Sequence, residues 1–372
     1  MLTLGTHASR LERWIGADAV NRISDGMRDW YGPPIAVAGV PGNVWAMKGG
    51  DFRGRIAAGQ FASALDFGIS RARRIGREYA RRQRATANAG FASLSDLIAE
   101  ATAGKRREIV FQKTGPTGVI AVTSSLWGLG AQPAAGANGA ALPGGEAPTG
   151  ATTGAQYGLD AVSTDTRHIV SAWVLASVAG QTLLLYDRLF HATINMNSNA
   201  TQSVTGVPTR YQSSTVTNPD YAGGNFAFIE VGVTALAATA HNWTVCRYRN
   251  QAGTDAQSFP SMAGNSGAIV RRLDHPTCSW FIPLATNDTG VMDLDQIQSS
   301  AAMATGVGCA VVGHPLAFMP VPLANIACQY DGINTAFNLV RVFDGAALAW
   351  LEVCKPATTA TMYNGGVVLV HG

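Results

Sequence analysis

Short apolar or alternating runs recur from about residue 161 to the end of the chain, with turn-forming clusters between them. The turn-forming clusters include Asn218–Gly224, Asn250–Gly253 and Asn364–Gly366. Runs of this kind between Gly-, Asn- and Pro-containing stretches are typical of strands in all-β domains, whereas βαβ units would place helical patterns between them. The sequence therefore predicts a mainly β fold. Its body is a sandwich or jelly roll, preceded by an N-terminal helical and extended arm region.

The predicted strands of the body share strong apolar or alternating character. They are Ile169–Val178, Leu183–Ile194, Phe226–Val233, Trp243–Arg249, Ala268–Arg272, Ser279–Leu284, Cys309–Val312, Phe337–Phe343, Ala347–Cys354 and Val367–Val370. Within Trp243–Arg249, strict alternation predicts that Trp243 and Val245 share one face, and that Cys246 and Tyr248 share the other.

The uncharged stretch Ile169–Tyr186 reaches the minimum length of a membrane-spanning helix. Its centre, Val178–Thr182, contains Gly180 and has the character of a turn. We therefore interpret the stretch as a β-hairpin and expect no membrane association.

Three segments follow from charge and composition. Residues 1–113 carry 18 Lys/Arg against 10 Asp/Glu and form a basic helical and hairpin region. Residues 114–160 are rich in Gly, Ala and Pro and predict a flexible linker or an extended arm laid on a neighbour. Residues 161–372 form the β-rich body. Within the first segment, a short helix is predicted over Leu94–Thr102, with Ser93 as its cap and Gly104 at its end.

An arginine-rich stretch, Arg71–Arg84, is the strongest polar feature of the basic region. On a helix Arg74, Arg77, Arg81 and Arg84 form one stripe, because their spacings are three and four residues. Such a stripe suits phosphate or partner binding, which would be salt-sensitive and independent of nucleotide sequence. A solvated face, or one paired with acids of another subunit, explains the same pattern.

Candidate catalytic groups are sparse. Gly264–Gly267 resembles the segment around the nucleophile of chymotrypsin-like proteases, with Ser266 in the nucleophile position. A serine nucleophile needs a histidine base and an orienting acid. The residues that could supply them are His168, His191, His241, Asp187 and Asp220. The same four residues also form a common turn between strands, and we expect no enzymatic activity.

Metal and cofactor sites are also weakly supported. His275 and Cys278 lie close together, but a zinc site usually combines two such pairs and no second pair is evident. No phosphate-binding glycine loop is present in the sequence, so we expect no cofactor. The five cysteines have irregular spacing, and we expect them to be reduced, buried apolar residues.

Charged residues make up only 14% of the chain, whereas soluble globular domains average about 25%. A folded chain with so few charges is expected to cover much of its surface with other subunits. The sequence therefore favours an assembly component over a freely soluble monomer.

Five segments of the body resemble structural proteins of tailed-bacteriophage virions. They are Leu184–Arg188, Thr244–Gly253, Phe281–Leu284, Asn287–Val291 and His314–Ala317. Where family members carry an Asp-Gly-Val run, this chain has Asp288-Thr-Gly-Val291. The resemblance covers about residues 170–325.

The resemblance implies a virion component without enzymatic activity, assembled in the bacterial host cytoplasm. The leading hypothesis is a head cement or decoration protein that stabilises the capsid through contacts with copies of itself, for example as a trimer, and with other capsid proteins. The basic stripe could touch packaged DNA. The alternatives are the major capsid protein and a tail or fibre protein. A serine hydrolase and a nucleic-acid-binding module are more distant alternatives.

Overall fold

A computed structural model describes residues 91, 93–117, 119–155, 157, 159, 161–162, 165–265, 269–333 and 339–372. The chain divides into two units, Met1–Ala87 and Asn88–Gly372. Of the first unit, only the backbone of two short strands is described: β1 (Ile35–Ala36) pairs antiparallel with β2 (Asn43–Val44). Everything below concerns the second unit.

The first described element of the second unit is a short helix, α1 (Leu94–Glu100). The Ser93 side chain caps it by accepting a hydrogen bond of 3.1 Å from the Asp96 backbone N–H. A wider turn, Ala101–Lys105, follows and ends through Gly104, whose φ of 91° suits a residue without a β-carbon. The predicted cap and stop are both confirmed.

The rest of the unit is built from strands. In chain order they are β3 (Arg106–Thr114), β4 (Ser124–Ser125), β5 (Ala131–Gln132), β6 (Arg167–Ala176), β7 (Gln181–Asn195), β8 (Gln202–Ser203), β9 (Phe226–Val231), β10 (Asn242–Asn250), β11 (Gln257–Ser258), β12 (Met262–Ala263), β13 (Val291–Ser299), β14 (Val307–Val321), β15 (Cys328–Asp331), β16 (Val340–Val342), β17 (Leu348–Val353) and β18 (Met362–His371). The predicted mainly β fold is confirmed.

These strands form three antiparallel sheets. The central sheet has the order β4-β17-β7-β14-β9. The first outer sheet has the order β15-β6-β18-β3-β5, with β16 also paired to β6. The second outer sheet has the order β11-β10-β13-β8, with β12 also paired to β10.

The two 15-residue strands of the central sheet, β7 and β14, are long enough to pack against both outer sheets. At one end, Leu183 and Leu185 of β7 join the core made with Ile169 and Val174 of β6. At the other end, residues of β7 from Phe190 to Ile194 join a core made with β10 and β13. Alternate side chains of a strand point to opposite faces, so the remaining β7 residues build a third core on the other side.

Two strand predictions were wrong. Residues 269–273, within or beside the predicted strand Ala268–Arg272, form a turn and isolated bridges, and Ser279–Leu284 contains no strand. Arg271 and Cys278 have φ values of 72° and 59°, which extended strands do not adopt. Pro283 removes a backbone donor from the second run. The sequence analysis also missed eight strands, namely the longer β3, β13 and β15 and the two-residue β4, β5, β8, β11 and β12.

The stretch Ile169–Tyr186 is not a β-hairpin. Its two halves form β6 and β7 around a turn at Ser177–Gly180, as expected, but β6 belongs to the first outer sheet and β7 to the central sheet. The strands face each other through their side chains instead of sharing hydrogen bonds. In the described part of the chain, no helix combines the length and the hydropathy that crossing a bilayer requires.

The described residues of the Gly/Ala/Pro-rich segment lie against the chain's own central sheet. Leu142 N donates to Thr193 O at 3.0 Å, and Glu146 and His191 exchange two backbone hydrogen bonds of 2.9 Å. The small residues permit this approach: a β-carbon on Gly139 would lie 2.6 Å from the His191 carbonyl oxygen. Trp127, near the start of the segment, is fully buried. Likewise β3, placed in the basic region by composition, pairs along its length with β18.

Candidate assembly surface and buried polar sites

The predicted binding stripe, Arg74, Arg77, Arg81 and Arg84, lies outside the described residues, and so does Ser266. The DNA-contact and nucleophile hypotheses therefore stay predictions. The residues proposed to accompany Ser266 are described, and the geometry around them is informative.

His241 lies beside Gly264, whose backbone N–H donates to the His241 carbonyl oxygen at 3.0 Å. Its Nε2 is 2.7 Å from Asp274 Oδ2, and its Nδ1 is 3.1 Å from the Thr239 carbonyl oxygen. Burial disfavours the charged ring, but the hydrogen bond and charge of Asp274 outweigh burial and raise the pKa of His241. Asn265 N also donates to Asp274, so this carboxylate joins Asn265 to the His241 ring. With both ring nitrogens engaged, His241 has none left to accept a proton from a serine.

The other candidate bases lie elsewhere. His168 is on β6, where burial and the charge of Arg341 lower its pKa to about 4. His191 is on β7, where burial and Arg188 lower its pKa to about 2. Asp220 caps a loop by accepting from the backbone N–H groups of Tyr211 and Gln212.

A fully buried ion pair lies on the face of the central sheet covered by the Gly/Ala/Pro-rich segment. Arg188 donates to Glu230 Oε1 at 2.7 Å, to His191 Nδ1 at 3.1 Å and to the Tyr186 hydroxyl at 3.2 Å. The Trp127 ring centroid is 4.8 Å from the guanidinium carbon. Burial opposes the charge of Arg188, but Glu230 outweighs it and raises the pKa of the guanidinium. This network joins β7 and β9 of the central sheet to Trp127 of the covering segment.

His275 and Cys278, the two potential metal ligands that lie close together in sequence, have different surroundings in the structure. His275 is buried, and its Nε2 accepts a hydrogen bond of 2.9 Å from Ile229 N. Cys278 is exposed instead and forms no cluster with it. Across the residues that the structure describes, no group of three His, Cys, Asp or Glu side chains is arranged to hold an ion.

An aromatic cluster, here called the aromatic patch, is formed by Trp280, Phe281 and Phe318. The Trp280 ring centroid is 4.7 Å from that of Phe281 and 5.6 Å from that of Phe318. Trp280 is half-buried and packs on Phe226 of the core, whereas Phe281 and Phe318 are 38% and 46% exposed. Aromatic residues are more frequent in protein–protein interfaces than on the rest of the protein surface. The sequence reading missed this patch because it assigned Trp280 and Phe281 to a strand.

Among the residues that the structure describes, the aromatic patch adjoins a part of β14 that has a strand partner on one side only. β14 pairs with β7 along its length, but with β9 only from Gly308 to Gly313. The following residues of β14 include Phe318 and the prolines Pro315 and Pro320. Prolines remove ladder donors and discourage another strand from adding to an edge. The patch is therefore suited to side-chain contacts and poorly suited to strand addition.

No protein-family model and no curated protein sequence matches this chain. Among solved structures, it is weakly similar to infectious bursal disease virus strain Gt, at 10% identity and a TM-score of 0.15, covering 72% of this chain and 79% of that one. A second, the VP2 subviral particle of the same virus, has 13% identity and a TM-score of 0.14, covering 71% and 80%. Similarity at this level carries no argument about function.

Proposed function

We propose that this chain is a non-enzymatic structural component of a virus particle. The finer proposal is a bacteriophage head cement or decoration protein that stabilises the capsid through intersubunit contacts. The observation that carries the proposal is the aromatic patch on a chain in which only 14% of residues are charged. Its partners would be copies of this chain and other capsid proteins, and its place would be the virion.

The patch has the composition of an interface centre. Phe281 and Phe318 present exposed rings, while Trp280 anchors them to the core through Phe226. Because the three rings already pack on one another, binding a partner restricts their side-chain rotamers little further. Burying both exposed rings against a second copy would remove their apolar surface from water. Each Å² of apolar surface buried in this way stabilises the contact by about 25 cal/mol.

Repeated weak contacts suit a shell protein. Standard interfaces bury about 1,200–2,000 Å², and several of them acting together hold a subunit firmly without one tight contact. A heterologous contact must close into a ring to end growth, and a trimer is one such ring. A major capsid protein or a tail or fibre protein would use the same surface chemistry, so these remain the alternatives within the class.

The direct test is to look for the chain in purified particles by mass spectrometry and to compare particles with and without it. A cement protein predicts intact heads that lose their DNA at a lower temperature when the chain is missing. Failure to form heads at all would favour the major capsid alternative. Loss of tails with normal heads would favour the tail or fibre alternative. Absence of the chain from every particle would overturn the proposal.

A further inference from the structure

Two of the five cysteines meet at one place in the fold. Cys278 lies in the turn after Leu273, and Cys354 directly follows β17. The backbone of Ala121 links them: Cys278 N donates to Ala121 O at 2.7 Å, and Ala121 N donates to Lys355 O at 2.6 Å. Two segments far apart in sequence are thus held on either side of one residue.

This backbone connection brings the two cysteine side chains near each other. Cys278 is exposed, whereas Cys354 is half-buried. Burial, with a further contribution from Cys278, raises the pKa of Cys354 to about 11. In such an arrangement the accessible thiol reacts first with a dissolved disulfide. The shielded thiol then attacks the resulting mixed disulfide and forms the bond within the protein.

We propose that Cys278 and Cys354 form a reversible disulfide when the folded protein meets a low-molecular-weight disulfide such as oxidised glutathione. The Cys278 thiolate attacks one sulfur of the small disulfide, forms a mixed disulfide and releases one small thiol. Cys354 then loses its proton and attacks the Cys278 sulfur, which releases the second small thiol. Two protein thiols are oxidised, and one small disulfide is reduced to two thiols.

The bond would act as a staple. It would tie the turn that precedes Trp280 to the end of β17 in the central sheet. It would also close a long loop, and constraining a long loop restricts the unfolded chain most. Reducing cell interiors would keep the pair open, and the oxidising conditions outside cells would close it. This inference stands apart from the proposed assembly role, because it needs only this chain and an oxidant.

The test counts thiols in the full-length folded protein. Wild-type protein is incubated with oxidised glutathione or with dithiothreitol, then unfolded and labelled with a maleimide. Intact-mass spectrometry counts the labels. All five cysteines should label after reduction, and three after oxidation, with no glutathione attached. Cys328→Ser is the matched control, because Cys328 is a partly exposed cysteine outside the pair. It should still lose two thiols on oxidation.

Cys278→Ser and Cys354→Ser should abolish the paired loss. Cys278→Ser should keep its four thiols, and Cys354→Ser should accumulate a glutathione adduct at the exposed Cys278. Oxidation should raise the denaturant midpoint of wild type and Cys328→Ser, but not of either pair variant. Five free thiols in oxidised wild type would overturn the proposal, as would a paired loss that survives in Cys278→Ser.

Discussion

Arg210 and Asp187 form a bidentate ion pair in the protein interior: Arg210 Nε lies 2.8 Å from Asp187 Oδ2, and one of its Nη atoms lies 2.7 Å from Oδ1. Asp187 also accepts a hydrogen bond of 2.8 Å from Ala347 N. The pair therefore joins a loop and the start of β17 to the middle of β7. Both side chains are buried, so neither charge can turn to water if the other is removed.

Asp187→Asn should destabilise the protein strongly, because it keeps the shape of the side chain and leaves the Arg210 charge buried without its partner. Removing one member of such a pair costs about 3–5 kcal/mol. The matched control is Asp255→Asn, which breaks the exposed pair with Arg249 at 3.4 Å and should cost less than about 1 kcal/mol. Guanidinium unfolding measures both. Equal losses would contradict the account.

His275 should make the protein sensitive to mild acid. Burial lowers its folded pKa to about 4, and its Nε2 must stay unprotonated to accept from Ile229 N. Because the unfolded chain binds the proton more tightly, the stability contribution is present above the unfolded pKa of about 6.5 and is lost as the pH falls toward 4. Between pH 7 and pH 5 this one residue should cost about 2 kcal/mol.

The check is His275→Gln, which does not titrate in this range. Unfolding free energies at pH 7 and pH 5 give the acid-induced loss for each protein. His168 also has a folded pKa of about 4, so it contributes to the loss in both proteins. The loss in the variant should be smaller than in wild type by about 2 kcal/mol. An identical loss in both would show that His275 is not responsible.

Gly206 allows the Gly/Ala/Pro-rich segment to pack against the body. A β-carbon at this position would lie 2.1 Å from the Gly144 carbonyl oxygen, which is backbone and cannot rotate away. Gly206→Ala should therefore cost about 1–3 kcal/mol. Gly130→Ala is the matched control, because a β-carbon there meets nothing within 4 Å. Urea unfolding of the two variants makes the comparison, and a Gly206→Ala protein as stable as the control would contradict the packing.

Periodicity located strands well and their partners poorly. The apolar run in β7 is strong enough to identify from its residues alone, and so is the turn before it. A turn can join two hydrogen-bonded strands of one sheet or two strands of different sheets. Which of these forms depends on which strand faces have complementary apolar surfaces elsewhere in the fold. That is why Ile169 and Leu185 lie in one core although their strands belong to different sheets, a long-range outcome that local alternation does not encode.

Strand β10 shows a second limit. Strict alternation placed Trp243 opposite Cys246 and Tyr248, yet all three are buried. The register with β13 shifts between Trp243 and Val245, and such an irregularity inserts a residue and changes which face follows. The Gly/Ala/Pro-rich segment, residues 114–160, was expected to be a flexible linker or an arm laid on a neighbour. Its described residues lie against the chain's own central sheet instead. The sequence analysis inferred from the scarcity of bulky side chains that this segment could not pack into a core. Glycines such as Gly139 instead let the backbone itself pack closely against the sheet.

The candidate surface was the least predictable part. Low charge indicated contacts with other chains but not their location. Phe281 and Phe318 lie far apart in sequence, and Trp280 brings them together only once β14 and the loop before Ile282 are folded. The arginine stripe that the sequence did single out lies outside the described residues, so its role stays a prediction.

The most direct test of the account is the sedimentation velocity of the full-length protein over a range of concentrations, with the double variant Phe281→Ser/Phe318→Ser and the control Val216→Ser, a residue 73% exposed outside the aromatic patch. Wild type and control should self-associate alike. The double variant should have a dissociation constant at least about tenfold higher, because it loses two aromatic anchors. Wild type that stays monomeric at every concentration, or a double variant that associates as wild type does, would contradict the account.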